Sequence, residues 1–592
     1  MAPLVNQQDL EFLLNDVFSA EALTKFPRYA DYDQEAFTSV LDTARRIAET
    51  HFLPHNAKAD AHEPQFDGAK VTTIPEVKTA WQHYADSGLL SARHGYDEGG
   101  MQLPALISMA CNAYFMAANP ATAAYPFLTS AAANVIHAFG SEAQKQRFLE
   151  PMFSGRFAGT MALTEPDVGS SLGDLTTKAV AHGDGSYRLK GQKMYISGGD
   201  QDITENIVHL VLARIEGAPT GVKGISMFIV PKLLVDEQGN CTSENDVKLA
   251  GLLHKMGYRG TTSTVLSFGE QDACVGYLVG EAGKGLSYMF KMMNEARVGV
   301  GLGAAMIGYR GYLESLAYAK DRPQGRSIAN RDPASKPVAI IQHADVKRML
   351  LQQKAYVEGS LALCLLAARL VDEHEAGDNA DSGILLDLLT PVVKSYPSFY
   401  GPRANDLAIQ VLGGAGYIRE YPVEQCFRDN RLNPIHEGTH GIQGLDLLGR
   451  KLWQHEGKGL KLLLERIQIT LHAAAKAPEL QEVVALYQSA LKPFMTTTVE
   501  LGQALLGNKA EGTLANASVY LDIMGKYVVG WLWIEMVEKA LLNAEHLSQE
   551  FVQGKLQAAR YFMRWELPEA ELHLKRLQAA DDTFMATEPE WL

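Results

Sequence analysis

Apolar residues recur at helical spacing through the first part of the chain. Phe37, Val40, Leu41, Ala44, Ile47 and Ala48 share one face, and Pro54 closes that segment. Leu106 to Ala117 and Ala131 to Phe139 read as Ala-rich helices, and Ser141 opens another that leads to Pro151. Between about residues 161 and 280 the period shortens. Tyr187-Arg-Leu, Lys193-Met-Tyr-Ile, His209 to Ile215, Gly224 to Val230 and Thr262 to Phe268 are β-rich runs, with Asp184-Gly185 a hairpin turn. Strands joined by turns without intervening helices predict an antiparallel sheet or barrel. Helical periodicity returns from about 281 to 455, broken at Arg322-Pro-Gln-Gly, Asp332-Pro and Gly413-Gly414-Ala-Gly416. Leu460, Leu463, Leu464 and Ile467 typify the amphipathic runs of the remainder. The pattern predicts an α+β protein: an N-terminal helical domain (1–160), a middle antiparallel β domain (161–280), a C-terminal helical bundle (281–455) and a helical extension (456–592).

Composition narrows the class. With 592 residues, 46% apolar and 21% charged, the chain is of ordinary globular type, which excludes disordered and fibrous classes. Its 54 basic and 69 acidic residues give a net charge of −15, the wrong sign for a phosphate backbone, so no nucleic-acid partner is expected. The start has neither a basic nor an apolar leader pattern, and the densest apolar run, Tyr527 to Ile534, falls far short of the ~20 residues a membrane span needs. Five dispersed cysteines without a CxxC pair read as reduced thiols. The expectation is a cytoplasmic protein with no integral membrane association and no metal framework.

Three motifs compete to supply the chemistry. His436-Glu437-Gly438-Thr439-His440 is a formal HExxH, which on a continuous helix would bind zinc with the glutamate as base. Gly438, Gly441 and Gly444 weaken such a helix by ~1 kcal/mol each, and Asn433-Pro434 stands where it would have to be established. The alternative is an irregular turn with two solvated histidines. Gly299-Val-Gly301-Leu-Gly303 lacks the preceding strand of a dinucleotide fingerprint and reads as small residues for close helix packing. The third is an ordered set: Met161-Ala-Leu-Thr-Glu-Pro-Asp-Val-Gly-Ser170, Gly191-Gln-Lys-Met-Tyr-Ile-Ser197, Lys255-Met-Gly-Tyr-Arg-Gly260, Arg322-Pro-Gln-Gly, Gln410-Val-Leu-Gly-Gly-Ala-Gly-Tyr417 and His436-Glu-Gly-Thr439. In that order, over roughly residues 40 to 455, the chain resembles the acyl-CoA dehydrogenase family of flavoproteins. The N-terminal Asp9-Leu-Glu-Phe-Leu-Leu helix and the long C-terminal extension are similar to a larger bacterial subgroup, whose members act on fatty acyl-CoA or 3-methylthiopropanoyl-CoA.

The resemblance implies an FAD-dependent oxidoreductase of the β-oxidation type, converting an acyl-CoA to a trans-2-enoyl-CoA. Glu437 would take the Cα proton, and N5 of FAD would accept the Cβ hydride. Removing so weak a carbon acid needs a nearby desolvated base and donors on the thioester carbonyl. Some members carry the base at the position matching Ala296, which cannot serve; Glu295, one residue away, is the reserve. By the same resemblance Leu163, Thr164, Ser170, Tyr195, Ser197, Arg322, Gln342, Gln410, Gly413, Gly414 and Thr439 bind the flavin. Ser170, Asn294, Arg297 and Gly438 meet the substrate. Tyr195 and Ser197 replace the family's usual Trp and Thr, and Gly441 replaces a polar side chain. Electron-transferring flavoprotein would receive the electrons, and a homodimer is expected. An acyl-CoA oxidase on the same fold, an HExxH zinc hydrolase and a non-catalytic binding relative are the alternatives.

Overall fold

The computed structural model describes residues 2–329, 332–507 and 509–592, with all their side chains except those of Lys291 and Met292. In chain order the principal helices are α1 (Gln34–Ile47), α2 (Pro75–Asp86), α3 (Ala105–Ala118), α4 (Pro120–Phe139) and α5 (Glu142–Phe153). The strands of the main sheet follow: β1 (Phe157–Ala162), β2 (Lys178–Ala181), β3 (Tyr187–Ser197), β4 (Asn206–Ile215), β5 (Ile225–Pro231), β6 (Val247–Leu252), β7 (Ser263–Phe268) and β8 (Val275–Leu278). Then come α6 (Gly285–Asp321), α7 (Ala344–Glu375), α8 (Ala380–Leu412), α9 (Val423–Asn430), α10 (Lys458–Ala474), α11 (Gln481–Leu506), α12 (Ala517–Leu542), α13 (Gln549–Tyr561) and α14 (Leu567–Gln578). The chain forms two compact units, one of Ser39–Leu103 and Tyr114–Ala296, the other of Met1–Thr38, Pro104–Ala113 and Arg297–Leu592.

The first unit holds the sheet, with strand order β6-β7-β3-β8-β5-β4-β1 and β2 beside β3 and β4. Most neighbours are antiparallel, but β1 and β2 each run parallel to β4; β2 is antiparallel to β3, which lies between β2 and β4 in the chain, so the direction reverses twice before β4. The predicted Asp184-Gly185 hairpin joins β2 to β3: Gly185 takes φ +81°, and Asp184 accepts from the Ser186 amide at 2.9 Å. The Ser141 cap of α5 is a capping box with Gln144. Thr129 on α4 accepts the Gly159 amide of β1 at 2.9 Å, and Ala132, Ile136, Phe148 and Met152 bury against Leu210 and Ile229.

The second unit is built on long antiparallel helices. At Gly301 of α6 an added Cβ would lie 2.2 Å from the Val393 carbonyl oxygen of α8, so the small-residue run exists for close helix contact. The apolar Tyr527–Ile534 run lies in the core on α12. There Trp531 Nε1 donates to Thr470 at 2.8 Å and Trp533 Nε1 to the Ala355 carbonyl at 3.1 Å, satisfying the polar edges of both buried indoles. Among the described residues no helix is long and apolar enough to cross a membrane. Lys555 on α13, fully buried, donates to Asp9 and, at 2.8 Å, to Glu358 of α7, while Tyr309 donates to Asp9 at 2.8 Å. This buried ionic cluster ties the N-terminal segment and the extension to the bundle.

Candidate active site

The HExxH residues are not helical. Glu437 adopts φ +53° and Gly438 φ +91°, two consecutive left-handed residues, and helix begins only at His440–Asp446 behind an extended Thr439 cap. Two histidines four apart on one helix face are therefore absent from this segment, and the zincin reading fails on backbone geometry. Both histidines are half-buried and held within the turn, not free in solvent. His436 is pushed down to about 3, chiefly by burial, and bonds Asn433 Oδ1 at 3.1 Å; His440, pushed down to about 4 by burial, sets its ring edge-on to Phe399.

A buried amide ladder fixes the turn. Asn430 Nδ2 donates to the Ala304 carbonyl (3.0 Å) and to Asn405 Oδ1 (2.8 Å), and Asn433 Nδ2 donates to Asn430 Oδ1 (2.9 Å). Gln443 Nε2 then donates to the Glu437 carbonyl at 2.9 Å. Lys394 of α8, wholly buried, spans both ends of the turn: its Nζ donates to the carbonyls of Asn433 (2.9 Å) and Gly438 (2.7 Å). Holding a non-glycine residue left-handed costs about 1–3 kcal/mol, and these bonds over-determine it.

The result, at Glu437, is a carboxylate without a hydrogen-bond partner among the described residues. Desolvation raises its pKa above the usual carboxylate range, only partly opposed by the positive charges of Arg297 and Lys394. Lys394 in turn is pushed down to about 7, mainly by burial, although Glu437 favours its charge. Arg297, buried on the part of α6 that belongs to the second unit, donates to Asp446 at 3.0 Å. Glu295 accepts from Asn134 at 2.8 Å, and Asn294 is half-buried.

In the sheet unit the predicted residues form a loop and a bulge. Leu163 and Thr164 follow β1 and are clamped to β3, with Lys193 Nζ donating to the Leu163 carbonyl and the Met194 amide to the Thr164 carbonyl, each at 2.9 Å. Glu165, next in sequence, is buried. It accepts from Lys193 at 2.9 Å and from the amides and hydroxyls of Thr176 and Thr177. Burial alone would raise its pKa, but Lys193 and these donors hold it down to about 2; burial pushes Lys193 down to about 8. The β3–β7 register slips between Thr264 and Leu266, so β3 carries an extra residue there. Tyr195 sits in that bulge at φ +61° and is 63% exposed, and Ser197, two residues on, is exposed as well. Ser170 is exposed on the loop.

The remaining predicted residues lie in the helical unit. The segment from Arg322 to Gln342 folds back on itself. Gln324 donates to Val338, Val338 to Gly325 and Ile340 to Arg322 through backbone amides, so exposed Arg322 and exposed Gln342 stand at the base of one excursion. Gln410 is exposed near the end of α8, and Gly413 and Gly414 have nothing within 4 Å of an added Cβ. Tyr318 and Tyr421 meet ring edge to face at 5.8 Å, joining the end of α6 to the segment after that glycine turn. Thr439 is spent as a cap, its Oγ1 3.5 Å from the Ile442 amide. Lys394, Glu165 and Lys193 escaped sequence reasoning, although the last two lie inside the quoted motifs.

Family models cover nearly the whole chain. Residues 34–156, 160–270 and 283–452 match the N-terminal, middle and C-terminal domains of acyl-CoA dehydrogenase, and residues 463–588 match a domain described as acetyl-CoA dehydrogenase C-terminal like. The chain belongs to the acyl-CoA dehydrogenase family. It is 33% identical to the 3-methylmercaptopropionyl-CoA dehydrogenase of Ruegeria pomeroyi over 579 residues, covering 96% of this chain and 98% of that protein. A butyryl-CoA dehydrogenase of Syntrophomonas wolfei is 34% identical, with 98% and 97% covered. The fold matches that of an acyl-CoA dehydrogenase from Bacillus anthracis solved with FAD, with TM-score 0.75, 23% identity, and 96% and 92% covered.

Proposed function

We propose that this protein dehydrogenates the Cα–Cβ bond of an acyl-CoA thioester, with Glu437 as the base that takes the Cα proton. The observation that carries the reading is a carboxylate without hydrogen-bond partners, desolvated, and fixed in a strained left-handed turn by Lys394 and Gln443. A base for so weak an acid gains from a raised pKa, because proton transfer then has a stronger driving force. Gly438, left-handed, leaves room for Gln443 Nε2, which an added Cβ would meet at 2.7 Å, and the Glu437 amide is the donor proposed for the thioester carbonyl.

The side chains fit an FAD cofactor. Tyr195 offers an exposed ring for the isoalloxazine, Ser197 a hydroxyl, and Leu163–Thr164 a clamped backbone edge. The Arg322 guanidinium suits a pyrophosphate, and Gly413–Gly414 admits close approach of backbone amides. Gln342, Gln410 and Thr439 complete the cofactor set, and Ser170, Asn294, Arg297 and Gly438 the substrate set. Bound FAD supplies the acceptor for the Cβ hydride. Electron-transferring flavoprotein is the proposed oxidant and a homodimer the proposed assembly. The two relatives described above are named for short acyl groups, and another covered nearly as fully is named a broad-specificity linear acyl-CoA dehydrogenase, which makes a straight acyl chain the favoured substrate.

Anaerobic titration of the flavin-loaded protein with butyryl-CoA, 3-methylthiopropanoyl-CoA and longer acyl-CoAs tests this. At least one is expected to bleach the flavin and yield an enoyl-CoA. Failure of all of them, with a flavin that dithionite still reduces, overturns the reading.

A further inference from the structure

In the sheet unit two imidazoles and a carboxylate converge. His94 and Glu98 come from the loop after α2, and His137 from the last turn of α4; their ligand atoms all lie within 4.8 Å of one another. His94 Nδ1 stands 3.9 Å from Glu98 Oε2, and His137 Nε2 contacts Glu98 Oε1. Glu98 is itself fixed, accepting the Gly95 amide at 3.0 Å.

The orientation of His94 is dictated from behind. Asn134 Nδ2 donates to Glu295 Oε2 at 2.8 Å, so Asn134 must present Oδ1 to His94 Nε2, 2.9 Å away. His94 Nε2 is therefore the protonated nitrogen, and in the neutral ring Nδ1 carries a lone pair aimed at the Glu98 carboxylate. His94 is buried, packed on the Phe153 ring at 4.6 Å and beside the His137 imidazole at 4.7 Å, all of which oppose a second proton on it. Two lone-pair donors facing each other call for a cation between them. An imidazole whose far nitrogen is held by an amide, itself anchored by a carboxylate, has the outer-shell arrangement of a metal-bound histidine.

We propose that His94, Glu98 and His137 form a binding site for a divalent transition-metal ion of the zinc type, distinct from the catalytic turn. Ligand atoms around a tetrahedral ion with bonds of about 2.0–2.2 Å stand about 3.3–3.6 Å apart, which small side-chain rotations reach from the present positions. Two nitrogens and one carboxylate favour zinc, cobalt or nickel over magnesium or calcium. Glu98 and His137 are partly exposed, which leaves the fourth position to water. The ion staples the 94–98 loop to α4.

Equilibrium dialysis of the full flavin-loaded protein against micromolar Zn²⁺, followed by metal analysis, should find about one ion per chain. Co²⁺ in its place should give the visible absorption of a four-coordinate site. His137→Ala and Glu98→Gln, both at partly exposed positions and expected to fold, should each lower zinc affinity at least tenfold and abolish the cobalt spectrum. His94→Ala should do the same if it folds. A stoichiometry near zero, or binding and spectrum unchanged in His137→Ala and Glu98→Gln, overturns the proposal.

Discussion

Two buried lysines lie near two glutamates in this molecule, and the outcomes are opposite. In the sheet unit Lys193 bonds Glu165 directly, and with Thr176 and Thr177 it fills the carboxylate's acceptor sites, holding its pKa down to about 2. In the helical unit Lys394 spends its bonds on the carbonyls of Asn433 and Gly438, and the carboxylate of Glu437, enclosed in the same turn, receives none, so its pKa rises. Burial acts on both glutamates in the same direction. What separates a structural anion from a base is where the ammonium protons point.

The comparison breaks most sharply at Glu437. Glu437→Gln keeps the shape of the turn and should lower flavin reduction by acyl-CoA at least about 10³-fold, the range of a lost general base, while the protein stays yellow. Stopped-flow absorbance measures it. The corresponding Glu165→Gln should leave the reduction rate of any protein that retains flavin within about tenfold. A comparable loss in that variant would show that the difference in hydrogen bonding does not separate the roles.

Next in size is Lys394. Lys394→Met strands two buried carbonyls, about 1–3 kcal/mol each, and should slow reduction about 10- to 100-fold through a loosened turn. A purely structural role would stop there. Lys394 also lowers the pKa of Glu437, so its removal should move the acid limb of the kcat/KM profile to higher pH, because the base then ionises later. Lys394→Arg, which keeps the charge, should shift that limb less.

The helical, β and helical texture of the chain was legible because it rests on local periodicity, and Gly299–Gly303 was legible as packing because no strand precedes it. Glu437 was reached through motif order, not through its surroundings. Nothing local marks Lys394: within Pro391-Val-Val-Lys-Ser-Tyr it reads as one charge on a helix, and its partners lie 39 and 44 residues away. Arg297 and Asp446, 149 residues apart, are hidden for the same reason. Glu165 and Lys193 sat inside motifs read for their neighbours; pairing them needs the fold that sets the loop after β1 against β3. The HExxH spacing misled in the other direction, since spacing carries the zinc reading only if the backbone between the histidines is helical.

A smaller effect tests the Glu165 side by pH. The carboxyl titrates at about 2 when folded against 4.5 when free, so its contribution is full above pH 4.5 and is lost as pH falls from there toward about 2. Lys193, held down near 8 against 10.5 when free, opposes that gain by a shift of the same size, so the pair as a whole adds little at pH 7, and removing the carboxylate alone leaves a buried ammonium unpaired. Glu165→Gln should therefore lower the thermal midpoint at pH 7 and flatten its fall between pH 4.5 and 3. An equally steep acid fall in the variant would place the acid-labile group elsewhere.

The smallest expected effect concerns Tyr195, which shares with Glu437 a left-handed backbone but is exposed where Glu437 is half-buried. A non-glycine residue at φ +61° is strained by about 1 kcal/mol or more, and its exposed ring recovers little of that by packing within the protein. Tyr195→Gly removes the strain while adding freedom to the unfolded chain, so stability of the flavin-free protein should change by less than about 1 kcal/mol. Flavin retention should fall several-fold, because the ring's stacking surface is gone while the Ser197 hydroxyl remains. Chemical denaturation of the apoprotein and flavin fluorescence on dilution separate the two. If stability drops sharply while flavin retention is unchanged, the bulge serves the sheet; if flavin alone is lost, the strain at Tyr195, like that at Glu437, is maintained for a ligand.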